Sequence, residues 1–181
     1  ITNKSDLKNL RKIMFNQKQY IQLSAMGIDV HKFNNNKTNY IRLGGIDIKF
    51  NKSLKGHSDA DVVLHALVDS ILGSISGGDI GSIFSDKDPK WKNTNSEFFV
   101  EHATTMLKKN KCILLHTDIT IMCEEPKISQ YREKMKDNIA RMLNISTNNV
   151  SIKATTSEKL GFLGRKEGIM AQCLTTISRP A

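Results

Sequence analysis

Asp29 and His31 stand two residues apart in Met26-Gly27-Ile28-Asp29-Val30-His31, where apolar residues alternate with others. In an extended chain residues i and i+2 point to the same side, about 6.6 Å apart along the backbone, so this carboxylate and imidazole face together. They can close on one ion only with a third ligand from elsewhere. His65 is the best candidate, set among Val62, Val63, Leu64, Ala66 and Leu67 on a segment that reads as a helix able to pack on the strand. Zn²⁺ held by two imidazoles and one carboxylate keeps an open fourth position, the arrangement of catalytic zinc, and such an ion can polarise a phosphoryl oxygen. A plainer reading makes His31 a surface residue and His65 a hydrogen-bonded core imidazole. Cys112, Cys123 and Cys173 are odd in number, lack CxxC spacing and complete no site, so they read as buried thiols.

Asp59, Asp61, Asp69, Asp79, Asp86 and Asp88 crowd the span 59–88 of an otherwise basic chain. Asp61, His65 and Asp69 are spaced i, i+4 and i+8, one helix face, where a carboxylate can orient the second nitrogen of the imidazole. They read equally as a helix cap and solvent-facing acids. Further on, Thr155, Thr156 and Ser157 bring hydroxyls and backbone N–H groups to a strand-to-turn boundary suited to phosphate oxygens, and Glu158 offers a hard oxygen ligand for Mg²⁺. The Walker pattern is absent, as are GxSxG, GxGxxG and HExxH, which sets aside P-loop, α/β-hydrolase, Rossmann and zincin chemistry.

These residues need a scaffold, and 181 residues suffice for one core. With 39% apolar and 25% charged residues and no long apolar run, the composition fits neither a disordered nor a membrane-spanning chain. The net charge of +9 raises nucleic-acid binding, but much of it sits in a basic leader at residues 1–20 (Lys4, Lys8, Arg11, Lys12 and Lys18 against Asp6) and the rest is scattered, without basic and aromatic interleaving. Strands are expected from Leu23, at Tyr40 to Leu43, Ile46 to Phe50, Cys112 to Cys123, Val150 to Thr155 and Gly168 to Ser178, with an Asn-rich turn after the first. Helices are expected from a cap at Ser58 or Asp59 to Gly73, from Glu97 to Lys109, and from Gln130 to Leu143 behind Ser129. The order implies a single α+β domain, residues 21–181, with helices on one sheet face. The other face also needs cover, and self-association is one way to provide it.

Four separated segments then read together: Gly27-Ile28-Asp29-Val30-His31, Gly56-His57-Ser58-Asp59-Ala60-Asp61 through Ala66, Gly78-Asp79-Ile80-Gly81 with Phe84, Asp86 and Asp88-Pro89, and Thr155-Thr156-Ser157-Glu158-Lys159-Leu160-Gly161-Phe162. The chain resembles the 2-C-methyl-D-erythritol 2,4-cyclodiphosphate synthase family from about Ser24 to Thr176. The resemblance implies Asp29, His31 and His65 as zinc ligands and Glu158 as the Mg²⁺ (or Mn²⁺) ligand. It implies His57 and Ser58 on a mobile loop over the substrate, with Asp61 supporting the site, Asp69 behind the metal, Asp79 at the cytidine ribose and Asp86 at the methylerythritol hydroxyls. Pro126, Lys127, Ala154, Thr155 and Thr156 match nucleotide-binding segments, and Phe162 and Arg165 would line a central cavity, with Glu167 pairing locally. Ala60, Ser85 and Ser157 depart from the family pattern, which has Gly, Pro and Thr there, and none removes a liganding atom.

The implied reaction is attack of the 2-phosphate of 4-diphosphocytidyl-2-C-methyl-D-erythritol 2-phosphate on its own β-phosphorus, releasing CMP, in a homotrimer with active sites between subunits. The competing enzymatic reading is a zinc-dependent phosphodiesterase or pyrophosphatase using activated water. The non-enzymatic one is a nucleic-acid-associated protein with a basic arm. The resemblance also implies a plastid, apicoplast-like location in a parasite, with the upstream targeting segment absent from this chain.

Overall fold

The computed structural model describes residues 5–8, 19–56, 58–85, 88–91 and 94–181, apart from the side chains of Asn35 and Lys37. Most of the basic leader therefore lies outside the described residues, as do His57 and Asp86. Strands β1 (Tyr20–Lys37), β4 (Lys52–Leu54), β5 (Ile113–Met122), β6 (Val150–Thr155) and β7 (Gly168–Pro180) form one sheet in the order β4-β1-β7-β5-β6. All neighbours in it are antiparallel except β5 and β6. A separate hairpin pairs β2 (Tyr40–Leu43) with β3 (Ile46–Lys49). Helices α1 (Val62–Ser74), α2 (Ile80–Ile83), α3 (Ser96–Lys109), α4 (Arg132–Leu143) and α5 (Gly161–Gly164) complete the α+β domain. Among the described residues no helix is long and apolar enough to cross a membrane.

The core lies between the sheet and α1, α3 and α4. Helix α1 is buried almost all round, from Val62 to Leu72, whereas α3 buries only Ser96, Phe99, Val100, Ala103 and Leu107, and α4 Met135, Ile139, Ala140 and Leu143. A helix apolar on every side belongs inside the layers, and α1 is the one laid on β1 and β7. The three cysteines are buried and unpaired, as expected.

Several boundaries differ from the sequence expectation. Strand β1 starts at Tyr20 and runs straight through the Asn-rich stretch, because Phe33, Asn34 and Lys37 pair with β4 and the irregularity is absorbed as a register shift between Asn34 and Lys37. The cap of α1 is Asp61, not Ser58 or Asp59. Asn95 caps α3, and Ser129 opens a short 3-10 turn ahead of α4. The alternation in β1 is as read, but Met26, Ile28 and Val30 are the outward set, 54%, 45% and 46% exposed. Gly27, Asp29 and His31 are the inward set, facing α1.

Two features fix the position of α1, one against β1 and one against the β2–β3 turn. A Cβ on Gly27 would lie 2.1 Å from the Ala66 carbonyl oxygen and 2.6 Å from the Ser70 nitrogen, so only glycine lets strand and helix backbones approach this closely. The second is Asp61, fully buried, whose carboxylate accepts N–H groups of Gly44 (2.9 Å), Gly45 (2.6 Å), Val63 (3.1 Å) and Leu64 (3.1 Å). It satisfies orphan donors of α1 and locks that helix to the β2–β3 turn, where Gly44 and Gly45 take φ of 62° and 74°. Gly27→Ala is expected to destabilise the fold by about 1–3 kcal/mol through overpacking, lowering the thermal midpoint by roughly 2–4 °C per kcal/mol in a circular dichroism melt. Asp61→Asn, which turns an amide group toward backbone donors, should cost about 1–3 kcal/mol in urea unfolding.

Candidate metal centre and cleft

Asp29 and His31 project from β1 and His65 from the first turns of α1, one layer above. His65 Nδ1 lies 3.0 Å from Asp29 Oδ2 and 3.1 Å from His31 Nε2, and His31 Nε2 lies 2.8 Å from Asp29 Oδ2. These three atoms form the only cluster of potential metal-ligating groups found among the described residues. Two donors bound about 2.0–2.1 Å from one tetrahedral ion are about 3.3 Å apart, so the observed spacings fit a single ion at their centre.

The surroundings set which ring nitrogen faces that centre. His31 Nδ1 is 2.8 Å from the Lys55 carbonyl oxygen, which can only accept, so Nδ1 carries the proton and a neutral ring presents its Nε2 lone pair. His65 Nε2 has Ser58 Oγ and Ser96 Oγ, each at 3.0 Å. Asp29 is anchored by the Val30 N–H, 2.8 Å from its other oxygen. Burial would raise the Asp29 carboxyl, but hydrogen bonds and charge from His31 and His65 outweigh it and hold the group well below the usual range. Burial likewise opposes charge on His31, and the Asp29 carboxylate prevails and raises its pKa. The trio is therefore a place that favours positive charge, by proton or by metal.

This group lies in the wall of a cleft of about 670 Å³ together with Lys55, Gly56, Ser58, Ile80, Gly81, Phe84, Trp91 and Phe99. One end is polar and ionic, and the other is aromatic, with Phe84 packed edge-on to Trp91 at 5.0 Å. Of the acids expected here, Asp61 does not reach the cleft. Its expected role beside the substrate, and its use to orient His65, give way to capping, because four backbone N–H groups hold its carboxylate beneath α1. Hydroxyls meet His65 Nε2 instead. Asp69 accepts the Ile80 N–H at 2.7 Å and Asp79 caps α2 through the Ser82 N–H at 2.7 Å, so both shape the turn that walls the cleft. Burial, partly offset by the Ile80 N–H, raises the Asp69 carboxyl. Ala60, where the family pattern has Gly, takes a left-handed φ of 57°, the conformation that glycine adopts freely.

A second, smaller pocket of about 180 Å³ collects Pro126, Lys127, Ala154, Thr155 and Thr156 with Cys123, Glu124 and Arg132. Glu158 is not part of the Asp29–His31–His65 cluster. Its Oε1 accepts the Thr156 O–H at 2.9 Å on a turn where Glu158 and Lys159 take φ of 52° and 63°. Glu124, which the resemblance includes only as part of the Glu124-Glu125-Pro126-Lys127 nucleotide-binding turn, braces the Glu158 turn by accepting the Ser157 N–H (3.1 Å), Ser157 O–H (3.0 Å) and Lys159 N–H (3.2 Å), which hold its carboxyl below the usual range. Arg165 pairs with Glu167 at 2.8 Å, as expected, and Phe162 is partly exposed nearby. The hydroxyl of Ser96 and the rings of Trp91 and Phe99 were missed as site residues, since a helix-start serine and aromatics near a core stripe look the same whichever wall they line.

The chain is 46% identical over 182 residues to a bifunctional enzyme IspD/IspF of Bartonella bacilliformis, covering 99% of this chain and 45% of that protein. It spans less than half the length of the bifunctional relatives it matches. It is 45% identical to a 2-C-methyl-D-erythritol 2,4-cyclodiphosphate synthase of Acinetobacter baumannii, over 85% of this chain and 95% of that one. Among solved structures it is similar to the CDP complex of IspF from Plasmodium falciparum, with TM-score 0.77 and 33% identity, covering 88% of this chain and 97% of that chain. The expectation of a plastid is overturned by relatives at 45–48% identity that are bacterial. That expectation rested on the family resemblance, which carries the chemistry and no address. The YgbB family profile matches residues 23–178, and with Asp29, His31 and His65 brought together on β1 and α1 the chain belongs to the YgbB family.

Proposed function

We propose that the chain converts 4-diphosphocytidyl-2-C-methyl-D-erythritol 2-phosphate to 2-C-methyl-D-erythritol 2,4-cyclodiphosphate and CMP, a lyase step of isoprenoid biosynthesis. The observation that carries this reading is the convergence of Asp29 Oδ2, His31 Nε2 and His65 Nδ1 within hydrogen-bond distance of one another in the wall of a cleft. The related synthase covered almost end to end supports it. Asp29, His31 and His65 would hold Zn²⁺, and Glu158 Mg²⁺ or Mn²⁺. Zn²⁺ and Mg²⁺ held by these residues would supply Lewis acidity toward phosphoryl oxygens that otherwise repel the incoming phosphate.

The rest falls to the chain. Nucleophile and electrophile belong to one molecule, so the cleft must fold it until the reacting atoms approach within about 3.5 Å in line. The wall of Ile80, Phe84, Trp91 and Phe99 takes the carbon skeleton and excludes water, which steers the reaction to ring closure and away from hydrolysis. Ser58, and in this reading His57 and Asp86, position the methylerythritol phosphate end, while Asp69 and Asp79 hold the turn over it. Pro126, Lys127, Ala154, Thr155 and Thr156 take the cytidine diphosphate end, a role in keeping with the CDP-bound Plasmodium falciparum relative.

Metal centre and nucleotide pocket are separate in one chain. A homotrimer, in which a neighbour supplies the second half, would unite them and cover the outward face of Met26, Ile28, Val30 and Leu174. Phe162 and Arg165 would then line the central cavity. The catalytic domain in this reading is residues 21–181, with the basic leader before it.

A metal-replete assay with the cytidylyl substrate, its products resolved by phosphorus NMR, tests the reaction. Cyclic diphosphate with CMP is expected, and a linear pair of monophosphates would overturn the reading. His65→Ala should leave the fold intact, strip the zinc and lower turnover by at least roughly 1,000-fold, the worth of several kcal/mol of charge stabilisation. A full zinc complement in that variant, by elemental analysis, would contradict the ligand assignment. Glu158→Gln should raise the Mg²⁺ concentration needed for half-maximal turnover by about tenfold or more while zinc content stays unchanged.

A further inference from the structure

We propose that Ser96 and Asp59 are positioning residues for His65, a hydroxyl–carboxylate pair that fixes its tautomer so that the Nδ1 lone pair stays aimed at Asp29 and His31. The proposal rests on the metal reading of that trio and concerns residues the sequence patterns did not single out for this work.

Asp59 grips Ser96 with both oxygens. Its Oδ2 accepts the Ser96 N–H at 3.1 Å, and its Oδ1 accepts the Ser96 O–H in a short hydrogen bond. The carboxylate is held in turn by the Asp61 N–H, 3.3 Å from Oδ1, and faces Arg42, whose Nε lies 3.7 Å from Oδ2. The Asp59 backbone N–H donates to the Thr94 carbonyl at 3.2 Å, which ties the segment before α1 to the start of α3.

The hydrogen-bond directions follow from what each group can do. A carboxylate has only lone pairs, so the single hydroxyl proton of Ser96 goes to Asp59. What remains on Ser96 Oγ is acceptor capacity, and its partner there is His65 Nε2 at 3.0 Å. His65 must then donate from Nε2, and a neutral imidazole with its proton there has a bare Nδ1. Ser58 Oγ also lies 3.0 Å from Nε2, but its other described bond accepts the Ala60 N–H, and no carboxylate takes its proton among the described residues. Ser58 can therefore donate or accept and cannot choose the tautomer. Ser96, fully buried at the first position of α3, can. The division leaves Ser58 able to turn toward a substrate without releasing His65. It mirrors the other imidazole, where the Lys55 carbonyl does for His31 what the pair does for His65.

The test uses the full chain loaded with Zn²⁺ or Co²⁺. Zinc affinity is read by competition with a chromophoric chelator, and the Co²⁺ absorption bands report the ligand field. Ser96→Ala should keep the melting profile of a folded protein, weaken zinc binding about 10–100-fold and shift the Co²⁺ bands, while Ser96→Thr restores both. Asp59→Ala should give a loss like that of Ser96→Ala, and the double variant no more than either alone, because a chain of bonds is broken only once. Ser58→Ala should leave zinc affinity near that of the unaltered protein. Unchanged zinc affinity in Ser96→Ala, or losses that add in the double variant, would overturn the proposal. If Ser96→Ala does not fold, Asp59→Asn decides, with weakened zinc binding expected and unchanged binding overturning it. An unaltered protein that takes up neither Zn²⁺ nor Co²⁺ overturns the metal reading and the proposal with it, whereas normal uptake with an indifferent Ser96 sinks the proposal alone.

Discussion

Three electron-rich atoms facing one another at hydrogen-bond distance make an arrangement that calls for positive charge between them, a proton or a metal ion. Asp29, His31 and His65 are held in that arrangement by contacts that have nothing to do with each other: a backbone N–H on Asp29, a carbonyl on His31, hydroxyls on His65. Much of the architecture serves the convergence. Gly27 lets α1 lie against β1 closely enough for His65 to meet the strand, and Asp61 pins the start of that helix through four backbone donors. A shift of either element by an ångström would separate the three groups, and they would revert to an ordinary carboxylate and imidazoles.

The acids in the span 59–88 show how one residue type divides its labour. Asp61 is a cap, Asp59 a clamp on Ser96, and Asp69 and Asp79 fasten the short helix α2. Each is engaged with hydrogen-bond donors, and none of the four lines the cleft. The acidity of the segment is thus chiefly a way of fixing irregular backbone: N–H groups in turns and at helix starts have no ladder to join, and carboxylates satisfy them. This backbone work lets the aromatic wall and the Asp29, His31 and His65 cluster share one cleft.

The outward face of the sheet carries an opposite lesson. Its apolar residues follow the same period-2 pattern as a core-facing set, yet among the described residues they stay exposed, and the inward side of β1 is the one with Gly27, Asp29 and His31. An alternating pattern specifies two faces and is silent about which faces the helices. The register of β1 against β7 and the seat of α1 settle that.

The sequence by itself pointed to the Asp29, His31 and His65 cluster, the α+β class, the Gly-Gly hairpin and most helices, because these rest on short-range periodicity and on residue types whose chemistry is narrow. It also located the loop of Thr156 and Glu158, through hydroxyls and a carboxylate at a strand end. Only the tertiary structure decided that Asp61 serves backbone, that hydroxyls and not a second carboxylate meet His65 Nε2, and that Glu124 braces a turn more than thirty residues away in the chain. Those choices depend on which donor lies nearest once distant segments pack. Spacing along a chain carries no record of them, since a hydrogen bond is decided within about 3 Å and in three dimensions.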